Sequence, residues 1–146
     1  MNSKNEMDTV QVLDAFGELI AAVAALAAQV PAKTFSAIPG GIRPTEEATE
    51  KYETVVYRFR DQAGPPYRVL YAFFVDSLEA FEAGRIFDAV PPLLQAIERL
   101  VDLHKEEKVS FNSAEQNRIR EFQQRLEKIL PEASKPEVDL PTPETY

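Results

Sequence analysis

Apolar residues recur along this chain at three- and four-residue steps, in five blocks separated by proline- and glycine-rich interruptions. That period marks helices, each turning one stripe toward a core. The first block predicts a helix from about Asp8, a good N-cap, to Gln29, on Val12, Phe16, Leu19, Ile20, Val23, Leu26, Ala27 and Val30. Its second half is apolar all round, because Ala21, Ala22, Ala24, Ala25 and Ala28 stand where a charged face belongs. A helix of that kind is normally buried on several sides. Pro31 stops it. Residues 31–43 hold Pro31, Pro39, Gly40 and Gly41 and read as a long loop, with Phe35 and Ile38 to pin it to the body.

The second helix is predicted to begin near Pro44-Thr45-Glu46-Glu47, where acids suit the positive end of the helix dipole. Ala48, Tyr52, Val55, Val56, Phe59 and Ala63 form its stripe, and Gly64-Pro65-Pro66 ends it with a tight reversal. A third helix, about 66–83, carries Tyr67, Val69, Leu70, Tyr71, Phe73, Phe74 and Val75 with only Arg68 among them, and Gly84 caps it. This is the second segment apolar on every side. A fourth helix follows Asp88, with Pro91 and Pro92 placed in or near its first turn, and turns Leu93, Leu94, Ile97, Leu100, Val101 and His104 inward. The fifth starts at Phe111-Asn112-Ser113, where Asn112 with Glu115 and Ser113 with Gln116 both have capping-box spacing. Ile119, Phe122, Leu126, Ile129 and Leu130 face in.

The expected fold is therefore all-α: an antiparallel bundle of about five helices over residues 1–130. Residues 131–146 follow as an extended or disordered arm, with four prolines and no packing pattern. A bundle of this size has room for about one central helix, yet two segments are apolar all round. They pack on each other, or one of them faces another chain. The second reading is preferred, because apolar surface of that extent marks interfaces. It makes Leu19, Ile20, Val23 and Leu26, with Tyr67, Tyr71 and Phe74, the expected interface. The arm adds Val138, Leu140 and Tyr146 as anchors on a neighbour.

Length and composition narrow the chemistry. At 146 residues the chain is one domain, long enough for a real core. It has no cysteine, so disulfides, thiolate chemistry and sulfur-ligated metals are excluded together; the expected setting is the cytoplasm. The start lacks the basic region of a secretory signal, and the longest apolar stretch, Leu19 to Ala28, is about half a membrane span. A net charge of −8 disfavours nucleic acid and anionic membrane as partners.

With five glycines and a single histidine, phosphate loops and most catalytic clusters have no material. A di-iron bundle needs two Glu-x-x-His units, and His104 is preceded three positions earlier by Val101. Glu46, Glu47, Glu50, Glu53, Glu79 and Glu82 read as solvated faces, so neither metal nor cofactor is expected. Tyr57-Arg58-Phe59-Arg60 and Tyr67-Arg68 interleave bases with aromatics as single-strand binders do. The simpler reading is that Phe59 faces the core while the arginines complement the helix C-terminus.

Two short resemblances remain. Arg99 and His104 stand at an Arg-x4-His spacing that resembles the signature of HEPN ribonucleases, small helical bundles that dimerise to form a composite site. The resemblance implies that Arg99 would bind phosphate and His104 would serve acid–base chemistry. The bland alternative is that His104 closes the inner stripe near a helix C-terminus. Ser77 to Leu100 is similar to one tetratricopeptide hairpin, through Gly84, Ala89, Leu93, Ala96 and Ile97, without a second copy at the period an array needs.

The leading expectation is a non-enzymatic protein-interaction or assembly module, with a protein partner or further copies of itself. The alternatives are a dimeric HEPN-like ribonuclease on Arg99 and His104, and an acidic antitoxin- or immunity-type binding protein.

Overall fold

The computed structural model describes residues 6–29 and 43–130, and every structural statement below concerns these. Five helices follow in order: α1 Thr9–Ala27, α2 Glu46–Gln62, α3 Tyr71–Glu82, α4 Ile86–Lys105 and α5 Ser113–Ile129, with a 3-10 turn at Arg68–Leu70 before α3. The fold is all-α, as the helical period requires. The loop at 31–43, apart from Arg43, and the arm at 131–146 lie outside the described residues.

Local chemistry sets most of the helix ends. Asp8 caps α1 by accepting from the Gln11 backbone N–H at 2.9 Å, and the Gln11 side chain returns a bond to Asp8 at 3.0 Å. Asn112 and Glu115 build the same reciprocal box at the start of α5. Thr45 caps α2 through the Ala48 N–H. Such caps each contribute on the order of 1 kcal/mol.

Gly84, in the left-handed region at φ 79°, ends α3. The bonds Arg85 N–H to Ala80 O and Gly84 N–H to Phe81 O close a Schellman turn there. α4 ends the same way without a glycine. Glu107 takes φ 63°, with Lys108 N–H on Leu103 O and Glu107 N–H on His104 O.

Two helix starts differ from the sequence reading. The third helix was expected from about 66, but Pro65 and Pro66 leave a short turn and 3-10 segment, and α-helix begins only at Tyr71. α4 begins at Ile86, ahead of Asp88, so Pro91 and Pro92 sit in its second turn. The Schellman turn delivers Arg85 ready to start a helix, and the Asp88 N–H bonds Arg85 O at 3.0 Å. An interior proline costs roughly 3 kcal/mol. Eight buried side chains from Ile86 to Leu103 offset that cost along the apolar face of α4.

Neighbouring helices alternate in direction. Glu18 meets Arg58 across α1 and α2, Phe59 meets Phe74 and Tyr52 meets Phe81 across α2 and α3, and Ser77 meets Ala89 across α3 and α4. His104 meets Phe111 where α4 turns into α5. α5 therefore returns parallel to α1 and packs beside it, with Arg118 on Asp14 and Phe122 beside Phe16. Phe74 is the hub of the core, edge-on to Phe16 at 5.1 Å and to Phe59 at 4.8 Å.

The apolar surplus is resolved inside the chain. Leu19, Ile20, Val23, Leu26 and Phe74 are each at most 3% exposed, and Tyr67 is 7% exposed. Six of the seven expected interface residues thus belong to the core; only Tyr71 is half-buried. The reason is packing geometry. α1 is enclosed by α2, α4 and α5, and α3 reaches it through Phe74, so both all-apolar segments find partners in one body.

Candidate functional site

In its second half α1 leaves mostly alanine outside. Ala21 and Ala25 are exposed and Ala22 is half-buried, on the side of α1 opposite its large residues. Across from them run Thr45, Ala48, Lys51 and Val55, spaced at three and four residues along α2. Small side chains on both helices leave a groove of about 400 Å³, floored by Leu26, Tyr52 and Phe81. Its ends are Glu18 on one side and Gln29 and Pro44 on the other. This volume and apolar character fall in the range of binding clefts.

The charges at the groove are unequal. Glu18 is held by Arg58 at 3.2 Å. Lys51 is exposed and has no ion-pair partner among the described residues. Its aliphatic stem borders the apolar wall while its ammonium is free to meet an anion. The floor is fixed by a buried relay. Ser77 Oγ donates to Ala89 O at 2.8 Å, which obliges the Tyr52 hydroxyl to be the donor to Ser77 Oγ. Burial pushes the Tyr52 phenol far above its ordinary range, against the lowering effect of the Ser77 bond, so the ring stays neutral.

The ribonuclease-like pair is engaged in structural work. Arg99 lies 3.5 Å from Glu106. His104 Nδ1 accepts the Phe111 N–H at 3.3 Å, and the two rings stack at 5.2 Å. His104 thereby ties the end of α4 to the residue just before the α5 cap. A cleft of about 180 Å³ beside it is lined by Gln116, Ile119, Arg120 and Gln123 of α5.

Of the basic–aromatic segment, Phe59 is fully buried. Arg58 pairs with Glu18, while Arg60 pairs with Asp61 and lies 5.0 Å over the Tyr57 ring. Arg68 donates to Ala63 O. Tyr67 bonds Thr9 at 2.8 Å; burial raises its phenol, the Thr9 bond opposes this, and Glu115 and Asp8 add to the rise.

One acidic face is more than solvated charge. The Glu82 carboxyl of α3 is pushed up to about 7, first by its hydrogen bond with Glu53 of α2, then by partial burial and by the Glu53 and Glu79 charges. The carboxylates of Glu53, across the α2–α3 seam, and Glu79 thus disfavour the charged form of Glu82. No group of three or more His, Cys, Asp or Glu side chains suited to a metal occurs among the described residues.

By length and composition α1 alone could cross a membrane. In this fold its large apolar residues line the bundle core.

The sequence reading looked to the large residues of α1 for a partner surface, and in the fold those residues lie in the core. Periodicity identifies the large residues, and those are the ones a core claims first. The signal that was available is the exposed run Ala21, Ala22 and Ala25 set against Ala48 and Lys51 on a neighbouring antiparallel helix. The expected arm anchors Val138, Leu140 and Tyr146 lie outside the described residues, as do Phe35 and Ile38. Comparison with protein families, with curated proteins and with solved structures gives no match for this chain.

Proposed function

We propose that this chain is a non-enzymatic interaction module, a closed helical scaffold that offers the α1–α2 groove to an apolar polypeptide segment. The observation that supports this reading is the groove itself. It is apolar, open, about 400 Å³ in volume, and edged by a lysine lacking an ion-pair partner among the described residues. Most of the large apolar side chains are consumed by the core, with Val10, Tyr57 and Val69 left singly exposed, and this concavity is where apolar surface is gathered for a partner. A partner segment seats apolar side chains between Ala21, Ala25 and Ala48 and sets an acidic residue against Lys51. The segment belongs to this chain, to a further copy of it, or to a different protein.

The test is light scattering of the full chain over a range of concentrations, beside Ala25→Arg. Ala25 is exposed, so the arginine fills the groove without entering the core. Concentration-dependent mass above 16.4 kDa that Ala25→Arg abolishes supports the groove as the contact. Association unaffected by Ala25→Arg places the contact elsewhere and removes this reading.

The ribonuclease alternative rests on the spacing of Arg99 and His104 alone. Cleavage of single-stranded RNA that His104→Ala abolishes, with the fold intact, would replace the non-enzymatic reading. The acidic antitoxin or immunity alternative rests on the net charge of −8 and predicts salt-sensitive binding to a basic protein.

A further inference from the structure

We infer that the segment seated in the α1–α2 groove is residues 131–146 of the chain itself, with Val138 and Leu140 between the alanines and Asp139 on Lys51. The inference rests on the reading above that the groove takes an apolar polypeptide segment, and it names that segment.

Three observations lead there. The first is where the described chain stops. α5 runs parallel to α1 and packs beside it, so Leu130 emerges at the end of the bundle where α1 finishes. That end of α1 carries Ala25, Leu26 and Gln29, which line the groove. Reaching the groove from Leu130 means passing one helix, about 10 Å across. At about 3.1 Å per extended residue, Val138 is already roughly 25 Å of chain beyond Leu130. The reach is ample without unwinding α5.

The second is charge. Residues 131–146 contain Glu132, Glu137, Asp139 and Glu144 against Lys135 alone. Among groove residues, Glu18 is already neutralised by Arg58, while Lys51 has no partner among the described residues. The unbalanced charge at the groove is positive, and the segment is negative.

The third is pattern. Val138-Asp139-Leu140 places an acid between two branched apolar residues, with Pro136 before and Pro141 after. A flanking proline favours extended backbone, on which side chains two apart share a face. Val138 and Leu140 then enter the groove together while Asp139 turns to its edge. Proline also lowers the conformational entropy lost on docking.

The chain has no cysteine, so a single introduced one labels uniquely. A nitroxide on Thr142→Cys in the full chain, with methyl and amide spectra recorded on the same chain, reads which surface the segment visits. Broadening is expected at Ala21, Ala25, Ala48 and Lys51, and not at His104 or Arg120 on the α4–α5 side. Leu140→Asp is expected to abolish it. Lys51→Glu is expected to lower the bound population roughly two- to fivefold, as an exposed ion pair would. Mixing isotope-labelled chain with spin-labelled, isotope-free chain should leave the groove unbroadened, as a segment docked on its own bundle requires; broadening in the mixture marks a second copy's segment and overturns the inference. Broadening elsewhere, or none, overturns the inference. If the groove stays silent while Ala25→Arg still abolishes self-association, the segment is wrong and the groove reading stands. If Ala25→Arg is also without effect, both fall.

Discussion

The Tyr52 hydroxyl donates to Ser77 Oγ, and Ser77 in turn donates to the Ala89 carbonyl, so one chain of hydrogen bonds crosses from α2 through α3 to α4. Ser77 is fully buried, and its position lets α3 and α4 approach through Ala80 and Ala89. The two partners are not equivalent. Removing Ser77 strands a buried phenol, whereas removing the phenol leaves Ser77 still bonded to Ala89. Ser77→Ala should therefore cost about 1–3 kcal/mol and Tyr52→Phe about 0.5–1.5 kcal/mol. In the double variant the cost should be less than the sum, because neither group is left unpaired. Denaturant midpoints of the four proteins check this. Additive losses would show that the relay is not what holds the three helices in register.

His104 is predicted to matter for stability. His104→Ala leaves the Phe111 N–H without its side-chain acceptor and removes a stacked ring. The expected loss is about 1–3 kcal/mol in chemical denaturation. Activity toward single-stranded RNA should be absent from wild type and variant alike. A catalytic histidine would show the opposite: cleavage by wild type, none by the variant, and an unchanged midpoint.

The Glu53–Glu82 pair predicts a definite pH dependence. Glu82 is held at about 7 in the folded chain against an ordinary 4.5, so between those values the folded state binds more protons than the unfolded one. By linkage, stability falls as pH rises through that window and levels off above it. The lowered part of the profile should disappear in Glu82→Gln, whose amide cannot ionise. Melting temperatures from pH 4.5 to 8 should show the variant gaining on wild type up to about pH 7. A gap that stays constant over the whole range would mean that folding does not raise the Glu82 carboxyl.

How much of this was legible in the sequence depends on which residue was being read. Asp8 and Asn112 carry their caps in their own side chains, and Gly84 marks its turn because the left-handed conformation favours glycine. Those ends needed no tertiary knowledge. Ile86 could not be recognised as a helix start, because the cause is the Schellman turn before it and the buried face after it. Pro91 and Pro92 point the other way when read locally. The burial of the expected interface residues was hidden for a related reason. Leu19, Ile20 and Val23 look surplus on α1 alone, but α2, α4 and α5 enclose them once all five helices are present. The groove is a property of two helices set side by side, so neither Ala25 nor Lys51 signals it alone. Glu107 was missed because a glutamate in the left-handed region has no sequence mark at all.

That last position and Gly17 call for opposite substitutions with the same expected sign. Glu107 ends α4 at φ 63°, where a side chain is strained by roughly 1–2 kcal/mol. Glu107→Gly relieves the strain but enlarges the freedom of the unfolded chain, leaving an expected gain of about 0.5–1 kcal/mol. Gly17 stands inside α1, where glycine costs about 1 kcal/mol relative to alanine. A Cβ there would meet Phe122 Cζ at 3.5 Å and an Arg118 guanidinium nitrogen at 3.7 Å, which is ordinary contact. Gly17→Ala should therefore also stabilise, by about 0.5–1 kcal/mol, and should tighten the α1–α5 seam. The sites lie on different helices and share no partner, so the double variant should gain the sum. Thermal and chemical denaturation of the three variants decide it. A loss for Gly17→Ala would mean that α5 packs on α1 too closely to admit a methyl group.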